Sequence, residues 1–314
     1  MVRVRIPATT ANLGCGFDTF GMALGYYNYI EIEKADAFSL TIRGEGAKYL
    51  RTDAGNLVTR SATAAFEIAG VPLPELAVTC ENNIPLSRGM GSSSAAIVGG
   101  VYAANQLMGV PLSLEQMRDL AIAIEGHPDN VTPALFGGFT ISVSEGGQAY
   151  TKQIKLPRTL QAVLAVPHFT VSTKKARAVI PKQVALEDAV YHLGHAAYLA
   201  LSLIEGDLAG FGAMLTDRLA YPYRSRLIKG AQDVVAAAIA AGAIGCVISG
   251  SGPTMISFTE DDAILRSNIA AAMSEAFAEN GVEADIITVG MDNQGTIVDE
   301  QGQASGSPRY ALEG

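Results

Sequence analysis

The run Pro85-Leu86-Ser87-Arg88-Gly89-Met90-Gly91-Ser92-Ser93-Ser94-Ala95 constrains this chain more than any other stretch. Its glycines let the backbone approach a ligand closely, and its consecutive serines supply hydroxyl groups. Ala96, Ile97, Val101, Ala104 and Met108 then recur at helical spacing, with Ser92 placed to cap the helix and Gly109 to end it. A helix starting there aims its unpaired N–H groups and the positive end of its dipole at the loop, which suits a polyphosphate. No lysine follows the second glycine, so the G-x-x-x-x-G-K-[ST] pattern fails and the chain is not a P-loop NTPase. Taken alone, the cluster reads equally well as a helix start with no ligand.

Charge narrows the choice of ligand. The formal net charge is −9 and no run of Lys and Arg would form a basic face, which argues against a nucleic-acid partner. An anionic ligand must therefore be held locally, by backbone amides and a few isolated arginines. With 314 residues, 49% of them hydrophobic, the chain is long enough for two domains and can bury a substantial core. Cys15, Cys80 and Cys246 are odd in number and lack C-x-x-C spacing, so neither a disulfide framework nor a zinc site is indicated, and a reducing, cytoplasmic setting is expected. The alternating N-terminus has no apolar h-region, and Val234 to Ile248 is too short to span a bilayer, so no signal peptide or membrane segment is expected.

Period-two alternation predicts strands over Val2–Ile6, Tyr29–Glu33 and Ser39–Ile42, followed by a helix over Leu57–Ala69 and a strand over Ala77–Cys80. Ser113 with Gln116 reads as a capping box opening a helix that runs to Glu125, where Gly126 stops it. A turn at Pro128-Asp129-Asn130 leads through a short helical segment to the strand Phe139–Val143. Glycine and polar residues from Gly146 to Pro157 mark a boundary, giving an N-terminal domain of 1–155 and a C-terminal domain of 156–300. In the second domain a strand from Gln161, helices from Lys174, Glu187 and Ala231, two strands flanking Ser249–Pro253, a helix from Asp261 and a strand from Ala284 suit an α+β, ferredoxin-like order. The polar tail 301–314 is expected to be flexible.

Two further stretches accompany the glycine–serine run. They are Pro7-Ala8-Thr9-Thr10-Ala11-Asn12-Leu13-Gly14-Cys15-Gly16-Phe17-Asp18 and Gly245-Cys246-Val247-Ile248-Ser249-Gly250-Ser251-Gly252-Pro253-Thr254. Together, and in this order, the three resemble the signature motifs of the GHMP kinase superfamily, the first in the form used by homoserine kinases. The resemblance extends to about Val298. It implies a two-domain GHMP kinase fold, with an N-terminal domain like ribosomal-protein S5 domain 2 and a C-terminal ferredoxin-like domain. It also implies ATP-dependent phosphorylation of the side-chain hydroxyl of L-homoserine in threonine biosynthesis, with Mg²⁺ as cofactor and a homodimeric assembly.

Residue roles follow from the same resemblance. Pro85, Leu86, Ser87, Arg88, Gly89, Met90, Gly91, Ser92, Ser93, Ser94 and Ala95 would hold ATP, and Ser93 and Glu125 the metal, an oxygen pair that suits a hard cation. Homoserine is a zwitterion, so a carboxylate should meet its ammonium and arginine its carboxylate. Asn12 and Asp18 would take the amino group, Arg177 and Arg224 the carboxylate, and His127 would also touch substrate. The lysine of mevalonate kinase-like relatives is replaced at Thr9 or Thr10. Asp129 then either accepts the hydroxyl proton or positions the hydroxyl, positioning ranking first, and Thr173 assists.

Singly, each residue has a plainer reading: Asp18 as a turn residue, Glu125 as a helix-end carboxylate, Arg177 on a solvated face, His127 as a loop residue with no ligand, and Ser172 or Thr173 as a helix cap. His192 and His195 have a metal-compatible spacing but no third ligand, and are expected to be core or surface histidines. Cys15 lies inside the first motif, where alkylation is expected to hinder substrate access.

Overall fold

A computed structural model describes residues 1–146 and 148–300; the expected tail 301–314 lies outside the described residues. The chain opens with β1 (Val2–Ala11), β2 (Phe20–Lys34), β3 (Ser39–Gly44), α1 (Leu57–Ala69) and β4 (Leu76–Asn82). It continues with α2 (Ser92–Leu107), α3 (Leu114–Glu125), α4 (Val131–Phe136), β5 (Phe139–Glu145) and β6 (Gln148–Ile154). β2 is the spine of this sheet, pairing antiparallel with β1, β4 and β5, while β3 joins β4 in parallel across the α1 crossover. Local chemistry fixes the helix ends. Asn56 accepts from the Val58 amide to start α1, and Ser113 with Gln116 forms the capping box that starts α3. α2 packs against α1, α3 and the sheet, so it is apolar around most of its circumference.

The second sheet is built from β7 (Gln161–Pro167), α5 (Thr173–Ala178), α6 (Leu186–Glu205), α7 (Leu208–Ala213), α8 (Tyr221–Arg224) and α9 (Ala231–Ala240). Then come β8 (Gly245–Ile248), β9 (Met255–Thr259), α10 (Ala263–Glu279) and β10 (Ala284–Gly290). Its antiparallel order, β10-β7-β9-β8, places the fourth strand beside the first and the third between first and second, as a ferredoxin-like domain requires. α9 and α10 cover one face through Val234, Ile269, Met273 and Phe277. The chain then returns, and β11 (Ile297–Val298) pairs with β1 of the first sheet. There Arg3 bonds Glu31, Glu81 and Asp299, joining β1 to its neighbours and to the chain that follows β11.

β1, β2, β6 and the start of α2 differ from the sequence reading, which also lacked α7, α8 and β11. β1 runs past Ile6 to Ala11 and β2 begins at Phe20, because residues 6–11 and 20–24 are buried on both faces and show no alternation. β6 occupies the stretch read as a break; it is a polar edge strand on β5 in which Ala149 alone is buried. Ser92 does not cap α2. Gly91 takes the N-cap position in the left-handed region, φ 71°, with no side-chain cap bond.

Close backbone packing sets where α4 and the loop before it lie. A Cβ added to Gly21 on β2 would stand 1.8 Å from the Asp129 carbonyl oxygen and 2.7 Å from Pro133 Cγ. We therefore expect Gly21→Ala to destabilise the protein by about 1–3 kcal/mol, the usual cost of overpacking. Chemical denaturation measures this, and an unchanged midpoint would contradict the packing.

Candidate active site

A cleft of about 450 Å³ opens where the N-terminus of α2 meets the loops of both sheets. The three sequence motifs converge on it through direct bonds. The Thr9 amide donates to Met90 O at 3.1 Å, and the Thr9 hydroxyl donates to Asn130 Oδ1 at 2.7 Å. Ser249 Oγ donates to Gly89 O at 2.6 Å and lies 3.0 Å from Thr10 Oγ1. Asn12 Nδ2 donates to Gly250 O at 2.9 Å. Only glycine fits at position 91, since an added Cβ would lie 1.9 Å from Thr9 Oγ1. Thr9 and Thr10 therefore act as fasteners between motifs.

At one end, Ser93 Oγ donates to Glu125 Oε2 and Ser94 Oγ to Glu125 Oε1, both at 2.8 Å. The helix ends of α2 and α3 are thus held together by one carboxylate. Leu86 to Ser93 line the cleft, whereas Pro85, Ser94 and Ala95 do not; Ser94 and Ala95 are buried in α2 behind it. Ser93 and Glu125 present oxygens beside helix amides that lack intrahelical partners. A hydroxyl with one carboxylate fits Mg²⁺, which usually keeps waters and phosphate oxygens as its remaining ligands. Among the described residues no cluster of three or more His, Cys, Asp or Glu could hold a metal by itself.

At the other end, Asp18 and Arg177 form a two-pronged ion pair at 2.6 and 2.9 Å. Asp18 sits at φ 54° with its amide donating to Asn12 Oδ1, a turn that aims its carboxylate across the cleft. Arg224 is buried and donates to the carbonyls of Ala176 and Gly250. Burial pushes its guanidinium below its ordinary pKa, partly opposed by the nearby Asp18 carboxylate. Both guanidinium groups stand near the Phe17 ring. Thr173 reaches the same region, its hydroxyl 3.4 Å from Ser251 Oγ, while Ser172 and not Thr173 caps α5.

Sequence reading missed the apolar end of the cleft. Ile42, Leu50, Leu57 and Ala96, with Asn56 beside them, come from separate elements, and no local string marks them as a pocket. It also missed Asn130, whose side chain ties α4 to Thr9; its place in the turn with Asp129 was the available signal. Cys15 departs from expectation. It is buried, and burial raises its thiol to about 12, so it is a poor target for alkylation. His192 is a core residue: its Nδ1 lies 3.0 Å from Cys15 O and its Nε2 accepts from the Arg218 amide at 3.0 Å, leaving neither nitrogen for metal. His195 stacks on Tyr191.

Family comparison agrees with the architecture. The GHMP kinases N terminal domain matches residues 56–138, and the GHMP kinases C terminal domain matches residues 199–279. A homoserine kinase from Moorella thermoacetica is 42% identical over 298 residues, 95% of this chain and 100% of that one. The chain belongs to the homoserine kinases, within the GHMP kinases. Another member of this family, from Gloeobacter violaceus, is 43% identical over 94% of this chain and 98% of its own. The crystal structure of homoserine kinase from Cytophaga hutchinsonii superposes with a TM-score of 0.87 at 33% identity, covering 95% of this chain and 97% of that one. Mevalonate kinase from L. major, at 16% identity and a TM-score of 0.68, shares the fold.

His127 links the two ends of the site. Its Nδ1 lies 2.6 Å from Asp129 Oδ1, and this bond, opposed by burial, raises the imidazole above its ordinary value. A raised folded-state value means that the pair stabilises the fold fully below about pH 6.5, the unperturbed histidine value. That contribution is lost as pH rises through the raised value. NMR titration should therefore place the His127 midpoint above that of a free histidine and bring it down in Asp129→Asn; equal midpoints would contradict the pairing.

Proposed function

We propose that this chain transfers the γ-phosphoryl group of ATP to the side-chain hydroxyl of L-homoserine, as a cytoplasmic step of threonine biosynthesis. The observation that carries the reading is one cleft with an anion-seeking helix terminus at one end and paired opposite charges at the other. An acidic chain gives a triphosphate no general attraction, so local amides and dipole must supply it. Ser92 and Ser93 would receive the phosphates, Arg88 would flank them, and the apolar end at Ile42, Leu50 and Leu57 would take the base. Ser93 and Glu125 would hold Mg²⁺, which would supply positive charge to offset that developing on the phosphates. Cytoplasmic placement rests on three cysteines that are free and buried. No helix of the described residues is long and apolar enough to cross a membrane.

The zwitterion of homoserine matches the groups at the other end. Its ammonium would replace one face of the Asp18–Arg177 pair, with Asn12 alongside, and its carboxylate would lie toward Arg177 and buried Arg224. Thr173, His127 and Asp129 then border the hydroxyl. One oxygen of Asp129 is already engaged by His127, which leaves Oδ2 for the hydroxyl and favours a positioning role over full proton abstraction. A loose transition state, in which the proton passes to phosphate, permits this.

An assay of ADP release across homoserine, serine and mevalonate, with and without Mg²⁺, tests the reading. Turnover should require homoserine and metal; mevalonate offers no ammonium to Asp18 and should not serve. Arg177→Ala should raise KM for homoserine by about 10–100-fold, the worth of a charged hydrogen bond, while leaving nucleotide affinity nearly unchanged. Glu125→Gln should lower kcat by about tenfold or more through the loss of a charged metal ligand. An unaltered homoserine dependence in the first variant, or normal turnover in the second, would refute the corresponding assignment.

A further inference from the structure

Asp217 precedes α8 and spends its carboxylate on backbone amides. Its side chain is 11% exposed. Oδ1 accepts from the amides of Leu219 and Ala220 at 2.7 and 2.8 Å, and Oδ2 accepts from the Tyr221 amide at 2.8 Å. These bonds fold the turn that leads straight into α8, where an aspartate is the natural residue to gather nearby amides. α8 is four residues long and has no side-chain cap at its own N-cap residue, so it cannot persist on helix propensity alone. Its last residue is Arg224, which bonds the carbonyl of Ala176, the neighbour of Arg177, and that of Gly250. Behind Arg224 lies a second cavity of about 270 Å³, lined also by Gly14, Thr216, Asp217 and Tyr221. The guanidinium is therefore not wedged from that side by close packing, and its place depends on the turn and on directed bonds.

We propose that Asp217 is a positioning residue, which through the turn into α8 sets the distance between the Arg224 guanidinium and the Asp18 carboxylate. The inference rests on the homoserine reading above, in which those two groups meet the carboxylate and the ammonium of the substrate. The loop that carries Asp18 lies against the same segment. A Cβ added to Gly14, at φ 72°, would stand 2.8 Å from both N and O of Thr216, so that loop rests on the backbone beside Asp217. His192 spans the joint: its Nδ1 lies 3.0 Å from Cys15 O, its Nε2 accepts from the Arg218 amide at 3.0 Å, and Nε2 stands 3.6 Å from Asp217 Oδ1. One short segment, residues 216–218, thus fixes the Asp18 loop on one side and the start of α8 on the other. A substrate held at both ends is sensitive to that spacing, because reacting groups displaced by a fraction of an ångström lose rate.

Asp217→Asn keeps the size of the side chain but turns a donor toward an amide that the carboxylate now accepts from. It should raise KM for homoserine by about tenfold, while ADP affinity, measured by calorimetry, stays nearly unchanged. In an Arg224→Met background the same substitution should cost little, because effects that act through one group do not add. Asp217→Glu keeps the charge, shifts it by one methylene and should also raise KM, so the test stands should the first variant fold poorly. An unchanged KM, costs that add fully with Arg224→Met, or equal losses of ADP affinity and homoserine use, as general unfolding would give, would each overturn the proposal. A wild-type enzyme whose turnover does not need homoserine would instead overturn the reading on which it rests.

Discussion

One hydroxyl holds the architecture of the cleft together. Ser249, on the loop between β8 and β9, bonds Gly89 of the glycine–serine loop and stands against Thr10 at the end of β1. Each of these groups belongs to a different motif, and two of the motifs belong to one sheet while the third belongs to the other. The contact is buried, and a buried polar group must be paired or it costs stability, so the three loops are fixed relative to one another. Everything in the site inherits its position from this junction. Asn12 reaches Gly250, Arg224 reaches the same carbonyl from α8, and the N-terminus of α2 is aimed along the groove between them.

The charge balance of the molecule gives that geometry its purpose. An acidic protein repels a polyphosphate at long range, so binding has to come from short-range, oriented groups. Helix amides suit this because they carry no net charge that the rest of the chain must offset. At the other end a cation and an anion, Arg177 and Asp18, are already bonded to each other, so in the proposed function an incoming amino acid would exchange one neutral pairing for another. Arg224 is buried and bonds two backbone carbonyls, so in the proposed function it would be placed to meet the substrate's carboxylate.

Much of this was legible because short strings carry local physics. Ser113 and Gln116 announce α3 through a capping box, and the alternation of Ser39–Ile42 announces β3. The three motifs hold part of the cleft's polar lining, Asn12, Asp18, Ser87, Arg88, Ser92, Ser93 and Ser251, whereas Asn28, Arg51, Asn56 and Asn82 lie outside any motif. What stayed hidden depends on packing at long range. Continuous burial of residues 6–11 erased the alternation that would have shown the full length of β1, and the polarity of the edge strand β6 made it resemble a loop. Ser92 looked like a cap because serine is favoured at helix starts; the close approach of Thr9 instead demanded glycine at the cap position. The apolar end of the cleft, drawn from β3, α1 and α2, has no footprint in any single window of sequence. The buried state of Cys15 likewise comes from the fold and not from its motif.

The most direct measurement is a crystal structure of this chain with Mg²⁺ and a non-hydrolysable ATP analogue. The account predicts phosphate oxygens within hydrogen-bonding distance of the backbone amides of Gly91, Ser92 or Ser93, and the metal between Ser93 Oγ and the Glu125 carboxylate. A triphosphate lodged away from the start of α2, or a metal held by neither residue, would contradict it.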